Sequence, residues 1–101
     1  MKLLEGKNVI LTGASRGIGK GIAKVFAKHG ANIAFTYRSS KVKAQALEDE
    51  LLANGCKVKA YESDASDFKS AQQLSKDVIE DFGSIDVLVN NAGITNDNLL
   101  M

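Results

Sequence analysis

The chain has 101 residues, of which 45% are hydrophobic and 25% charged, an ordinary composition for one globular domain. Thirteen basic residues nearly cancel twelve acidic ones, which argues against nucleic acid or an anionic membrane as a partner. No apolar run approaches the roughly 18 residues of a membrane helix, and the amino terminus is charged too soon for a signal peptide. Cys56 is the only cysteine, so we expect no internal disulfide and a reducing, cytoplasmic setting.

The first half of the chain predicts strands and helices in alternation. An apolar strand at residues 8–12 precedes a helix that ends at His29-Gly30 and whose apolar residues recur at helical spacing, namely Ile18, Ile22, Val25 and Phe26. A second strand is predicted at residues 32–37. A second helix follows, which ends near Asn54-Gly55 and has its apolar face at Ala44, Leu47 and Leu51.

The second half continues the same alternation. A third strand is predicted at residues 57–62, and a third helix follows it, closed by Gly83. Ser66 or Asp67 is expected to cap this helix, whose apolar stripe consists of Phe68, Ala71, Leu74, Val78, Ile79 and Phe82. A fourth strand at residues 87–89 is apolar on both faces, as is typical of parallel strands. The pattern βαβαβαβ therefore predicts an α/β domain with a parallel sheet and right-handed crossovers.

A glycine-rich turn, Thr12-Gly13-Ala14-Ser15-Arg16-Gly17-Ile18-Gly19, connects the first strand to the first helix. Unpaired amides and the dipole at a helix amino terminus attract phosphate, and glycines allow the backbone to approach it closely. A Walker P-loop is excluded because it would need glycine at Ala14 and a hydroxyl at Gly21. The common GxGxxG fingerprint fails at Ile22. The turn thus predicts a phosphate-bearing ligand held in a different glycine motif.

The spacing TGxxxGxG, with Asn90-Asn91-Ala92-Gly93 after the fourth strand, resembles the short-chain dehydrogenase/reductase family. The segment from Gly93 to Met101 is similar to that of the bacterial 3-oxoacyl-[acyl-carrier-protein] reductases within it. This resemblance covers essentially the whole chain. It implies a partial Rossmann fold, with about four parallel strands in the order 3-2-1-4 and helices on both faces. It also implies NADPH-dependent reduction of 3-oxoacyl-[acyl-carrier-protein] to the (R)-3-hydroxyacyl form in fatty-acid synthesis, by a homo-oligomer that is typically a tetramer.

The resemblance also implies site residues by position. Asp64 would accept a hydrogen bond from the adenine amino group, with Ala65 beside it. The pyrophosphate and ribose would be lined by Gly13, Ser15, Arg16, Gly17, Ile18 and Gly19, and the adenosine ribose would lie over Asn91, Ala92 and Gly93. Structural alternatives stay open: Asp64 can serve as a helix-entry residue, and the side chains of Asn90 and Asn91 can link neighbouring strands.

The end of the second strand distinguishes the two nicotinamide cofactors. NAD sites place Asp or Glu there, about 20 residues beyond the glycine turn, to bind the ribose 2′-hydroxyl. This chain has Arg38, Ser39 and Ser40 instead, and Arg16 in the turn adds a second guanidinium. Because guanidinium groups pair well with phosphate, we predict NADP(H) as the cofactor. The alternative is that Arg38 is only a solvated surface charge.

No catalytic residue and no metal site is predicted within the chain. Catalysis in this family needs Ser, Tyr and Lys, with Tyr and Lys four residues apart on one helix face, and Asn for a proton relay. Tyr37 and Lys41 match that spacing, but Tyr37 ends a predicted strand, Lys41 begins a helix, and both lie at the adenosine end of the site. The family's catalytic residues follow at positions later than Met101.

We therefore expect residues 1–101 to be one truncated NADP-binding Rossmann domain, the amino-terminal part of a longer reductase and inactive alone. The fourth strand would then be an exposed apolar edge that favours pairing with another chain. Two alternatives stay open for the function: a stand-alone nucleotide-binding module, or a short-chain reductase for another carbonyl substrate.

Overall fold

The computed structural model describes residues 3–13, 17–38, 40–63 and 68–89. Strands and helices alternate as predicted, in the order β1 (Asn8–Leu11), α1 (Gly17–Lys28), β2 (Asn32–Tyr37), α2 (Lys41–Leu52), β3 (Val58–Glu62), α3 (Phe68–Phe82) and β4 (Val87–Val89). The first and third strands are each one residue shorter than predicted, and the proposed caps Ser66 and Asp67 lie outside the described residues.

The four strands form one parallel sheet in the order β3-β2-β1-β4, which confirms the predicted fold class. Strand β1 pairs with β2 from Asn8↔Asn32 to Leu11↔Phe35, and with β4 through Leu11↔Val89. Since all strands point the same way, their carboxyl ends share one edge of the sheet, where ligands of open α/β sheets bind.

Two hydrophobic clusters cover the two faces of the sheet. Side chains alternate along each strand, so Val9 and Leu11 of β1 pack on the α1 and α2 side, whereas Ile10 packs on the α3 side. Ala23 and Ala27 bring α1 close to the first face, and Leu74 and Val78 bring α3 onto the second. Helices on both faces complete the expected doubly wound arrangement.

The apolar stripe predicted for α3 is wider than the face that the helix buries. Leu74 and Val78 are buried, but Ala71 is exposed and Ile79 is half exposed. Ile79 lies one turn beyond Ser75, which lines the groove between α3 and β4. No described element packs over that flank of α3, which explains why these two positions remain exposed.

A chain of side-chain hydrogen bonds joins the amino ends of the strands. Asn8 is 8% exposed, and its Nδ2 donates to the Phe82 carbonyl at 3.2 Å and to Ser84 Oγ at 3.0 Å. Its Oδ1 accepts from Asn32 Nδ2 at 3.0 Å, and Asn32 Oδ1 in turn accepts from the Lys57 amide at 3.1 Å. This network links β1, β2, β3 and the α3–β4 connection at the edge opposite the candidate site.

Hydrogen bonds from Lys59 and Tyr61 hold the end of α3 against β3. The Tyr61 hydroxyl donates to Asp81 Oδ2 at 2.7 Å and the Lys59 ammonium to the same oxygen at 2.9 Å. These two bonds, in that order of effect, hold the pKa of Asp81 below its usual value. Burial raises the pKa of Tyr61, and its bond to Asp81 raises it further.

None of the described helices is both long enough and apolar enough to span a membrane.

Candidate functional site

Two of the predicted site residues lie at the carboxyl ends of strands, Gly13 beyond β1 and Arg38 beyond β2. Ser63 and Val89, which the sequence did not single out, mark the same ends of β3 and β4. Because the four strands are parallel neighbours, the structure brings these positions to one edge of the sheet. The sequence places the glycine-rich turn after the first strand and the Asn90-Asn91-Ala92-Gly93 motif after the fourth. These two strands, β1 and β4, are paired side by side.

The first two amides after β1, those of Thr12 and Gly13, both donate hydrogen bonds to neighbouring strands. The Thr12 amide donates to the Val89 carbonyl of β4 at 3.0 Å. The Gly13 amide donates to the Thr36 hydroxyl oxygen of β2 at 2.9 Å. Gly13 has φ +68°, a left-handed conformation that glycine adopts without strain.

Helix α1 begins at Gly17 and supplies the amides expected to hold phosphate. The first turn of this helix carries no acidic residue, so no side-chain charge there opposes an anion. Gly19 is buried, as expected where a helix packs closely on a sheet behind a dinucleotide turn. Ala14, Ser15 and Arg16 lie outside the described residues, as does the side chain of Ile18.

The end of β2 presents a cation and no carboxylate among its described residues. Arg38 is exposed directly after Tyr37, the last residue of the strand. Ser40 is the N-cap residue of α2, yet its hydroxyl makes no capping hydrogen bond to that helix. Ser39 lies outside the described residues. These groups fit a phosphate better than the 2′-hydroxyl of an NAD ribose.

Tyr37 and Lys41 do not share a helix. Tyr37 is the last residue of β2 and Lys41 the first of α2, as the sequence predicts. The remaining predicted site residues lie outside the described part of the chain: Asp64, Ala65, Asn91, Ala92 and Gly93. Among the described residues, no group of three or more His, Cys, Asp or Glu side chains could hold a metal ion.

The sequence did not single out Thr36, whose hydroxyl accepts the Gly13 amide hydrogen. Thr36 is 2% exposed. Its only mark in the sequence is a hydroxyl directly after the apolar run Ile33-Ala34-Phe35. Thr36 also lines a groove of about 220 Å³ between α3 and β4, beneath the carboxyl edge. The apolar walls of this groove are Ile10, Ala71, Leu74, Ile85 and Leu88.

Comparison with known proteins agrees with this geometry. The sequence model of the short chain dehydrogenase family matches residues 7–100. The 3-oxoacyl-[acyl-carrier-protein] reductase FabG of Staphylococcus aureus is 48% identical over 95 residues, which cover 94% of this chain and 39% of that protein. An L-rhamnose 1-dehydrogenase (NAD(P)(+)) of a Sphingomonas species is 46% identical over 94 residues, covering 93% of this chain and 37% of that protein.

Solved structures of the same family superpose closely on the chain. A short chain dehydrogenase from Burkholderia cenocepacia, crystallised in complex with NADP, matches with a TM-score of 0.86 and 41% identity. The match covers 97% of this chain and 42% of that one, so the chain spans about two fifths of the length of its relatives. The family model matches residues 7–100, and the parallel sheet with a glycine turn after β1 is consistent with that match. The chain therefore belongs to the short chain dehydrogenase family.

Proposed function

We propose that this chain binds NADP(H) and is the cofactor-binding part of an NADP-dependent oxidoreductase. The observation that supports this proposal most directly is that the start of α1 and the cationic residue after β2 lie at the same edge of the sheet, where the strands end. The amides of α1 would hold the pyrophosphate, and Arg38 with Ser40 would hold the 2′-phosphate. When bound, the nicotinamide supplies a hydride, whereas the residues of this chain bind and orient the adenosine and phosphate half.

The resemblance to relatives supports the same assignment. The Burkholderia cenocepacia short chain dehydrogenase, whose fold matches over 97% of this chain, was crystallised with NADP. Within the proposed site, Gly13, Gly17, Ile18 and Gly19 form the described part of the phosphate cradle. We propose that the site is completed by residues outside the described part of the chain: Ser15, Arg16, Ser39, Asp64, Ala65, Asn91, Ala92 and Gly93.

The test compares NADPH and NADH binding by isothermal titration calorimetry in the wild-type chain and in Arg38→Asp. A charge-assisted hydrogen bond contributes about 1.5–3 kcal/mol, so NADPH should bind roughly 10–100-fold more weakly to the variant. NADH, which lacks the 2′-phosphate, should lose much less affinity. Lys76→Asp makes the same charge change on the exposed face of α3 and should leave NADPH binding unchanged. Equal NADPH affinity in the wild type and Arg38→Asp would refute the assignment.

We further propose that the chain derives from a reductase of 3-oxoacyl-[acyl-carrier-protein]. The 48% identity to the Staphylococcus aureus FabG supports this substrate class. The 46% identity to an L-rhamnose 1-dehydrogenase keeps a sugar substrate as the second candidate. The site proposed on this chain holds the cofactor, and a substrate pocket needs groups beyond it.

Absorbance at 340 nm distinguishes these candidates. The 101-residue chain should consume no NADPH with a 3-oxoacyl thioester, because no predicted catalytic residue lies within it. A protein that extends this sequence to the length of its relatives should oxidise NADPH with the thioester. Reduction of NADP by L-rhamnose, without turnover of the thioester, would instead support the sugar dehydrogenase. Thioester-dependent turnover by the 101-residue chain would contradict the proposed division between cofactor binding and catalysis.

We also propose that the chain self-associates through β4. Among the described residues, β4 has a strand on one side only, and its Leu88 is 65% exposed beside the apolar groove. An apolar edge strand with unpaired backbone groups favours pairing with another chain. A second copy would cover both the edge and the groove.

Sedimentation velocity over a wide concentration range tests this association. The wild type should form dimers or larger species, and Leu88→Lys should shift the chain toward monomer. Val42→Lys introduces the same charge at an 84% exposed position of α2 and should sediment like the wild type. A wild-type chain that stays monomeric at the highest concentration would refute the proposal.

A further inference from the structure

Thr36 is a buried polar side chain whose partner lies in the glycine turn. It lies near the carboxyl end of β2, is 2% exposed, and faces the same side of the sheet as Ala34. Its Oγ1 accepts the hydrogen of the Gly13 amide at 2.9 Å. Burying a hydroxyl is costly unless it is hydrogen-bonded, so this contact accounts for a polar residue within an apolar strand.

The contact lies where the chain leaves β1. The β1–β2 pairing ends at Leu11↔Phe35, and the Gly13–Thr36 bond continues the connection to β2 beyond that pair. On the other side, the Thr12 amide is bonded to the Val89 carbonyl of β4 at 3.0 Å. Two successive amides are therefore held by opposite neighbours, which fixes Thr12 and Gly13 at the end of β1.

We propose that Thr36 is a positioning residue for the phosphate cradle, an inference that rests on the proposed binding of NADP(H). The Gly13 amide donates within the chain, so phosphate recognition falls to the amides at the start of α1. The Thr36 hydroxyl acts on those amides through the turn, because it sets the point from which the chain crosses to α1. Gly13 contributes its left-handed conformation, and Thr36 keeps that conformation in place.

Thr36→Val tests this role because valine keeps the branched shape and removes the hydroxyl acceptor. Hydrogen exchange of the Gly13 amide, measured by ¹H–¹⁵N NMR, should accelerate about tenfold, as expected for the loss of one partly buried hydrogen bond. NADPH should bind roughly three- to tenfold more weakly. Thr36→Ser retains the hydroxyl and should restore both values toward wild type. Ser75→Ala removes a hydroxyl from the same groove, one that is bonded to its own helix, and should change neither.

Each arm of the experiment has a decisive outcome. If Thr36→Val does not fold, hydrogen exchange of the Gly13 amide is measured in the wild-type chain alone. Rapid exchange of that amide in the folded wild type would show that the hydrogen bond to Thr36 is absent and would overturn the proposal. Rapid exchange in Thr36→Val with unchanged NADPH affinity would overturn the positioning role. Failure of the wild type to bind NADPH would refute the proposed function and this role with it, while a protected Gly13 amide would still verify the contact. Weaker binding with rescue by serine supports the inference.

Discussion

Replacing Asn8 with alanine would remove the side chain that joins the amino ends of β1 and β2 to the α3–β4 connection. Three hydrogen bonds would be lost: from Nδ2 to the Phe82 carbonyl and to Ser84 Oγ, and to Oδ1 from Asn32. The two hydrogen bonds of the Asn8 backbone would remain: its amide donates to Asp86 Oδ2 and its carbonyl accepts from the Asp86 amide, each at 2.8 Å. The substitution therefore tests the side-chain network without removing the strand pairing.

The expected loss follows from the number and the burial of these bonds. A hydrogen bond contributes about 0.5–1.5 kcal/mol net, and Asn8 is only 8% exposed, so water replaces the lost partners incompletely. We expect the free energy of unfolding to fall by about 2–3 kcal/mol. That is a large share of the roughly 5–15 kcal/mol that stabilises a typical domain, and it corresponds to a melting temperature about 10–20 °C lower.

Urea unfolding followed by far-UV circular dichroism measures this loss. The method suits this chain because circular dichroism does not depend on tryptophan, which the chain lacks. Asn54→Ala is the matched control, because Asn54 is exposed in the connection between α2 and β3. The control should change the free energy of unfolding by less than about 0.5 kcal/mol. A loss in Asn8→Ala no larger than in the control would refute the role assigned to the network.

Two further substitutions test other parts of the fold. Gly30→Ala should destabilise the chain by about 1–3 kcal/mol in thermal unfolding, because Gly30 has φ +87° and an added Cβ would lie 3.0 Å from Glu5 Cα. Gly21→Ala, inside α1 with open space around it, should instead stabilise by about 0.5–1 kcal/mol; the same sign for both would contradict this reasoning. Asp81→Asn should lower the melting temperature at pH 7. Because the pKa of Asp81 is lowered in the folded chain, its carboxylate contributes its full stabilisation above the ordinary carboxyl pKa of about 4, and the difference from wild type should shrink as the pH falls below that value.

The order and the type of the elements were predictable because each carries a local signal. Val87, Leu88 and Val89 formed an apolar run too short for a helix, and Ala44, Leu47 and Leu51 recurred at helical spacing. Burial was less predictable: Ile79 belongs to the apolar stripe of α3 but is half exposed. Periodicity shows which side of a helix is apolar, whereas its burial depends on which elements pack there.

The candidate site was predictable where a residue type alone limits the ligand. The glycine spacing of the turn and the absence of a carboxylate in Arg38-Ser39-Ser40 both predicted the cofactor from sequence. Thr36 and Asn8 were not predictable, because their partners lie 23 and up to 78 residues away along the chain. Single threonines and asparagines occur in strands and turns for many reasons, and only the register of neighbouring strands gives them partners.

The sequence by itself determined the alternation of strands and helices, the glycine turn and the cationic end of β2, since these depend on local propensity and side-chain chemistry. The tertiary structure decided that the Gly13 amide is taken up by Thr36, and that Asn8 joins the amino ends of the strands. The physical reason is that a hydrogen bond between distant residues depends on how the strands align. The proposed phosphate cradle is therefore predicted by the glycine spacing, whereas the partners of the Thr12 and Gly13 amides on β4 and β2 are seen only in the tertiary structure.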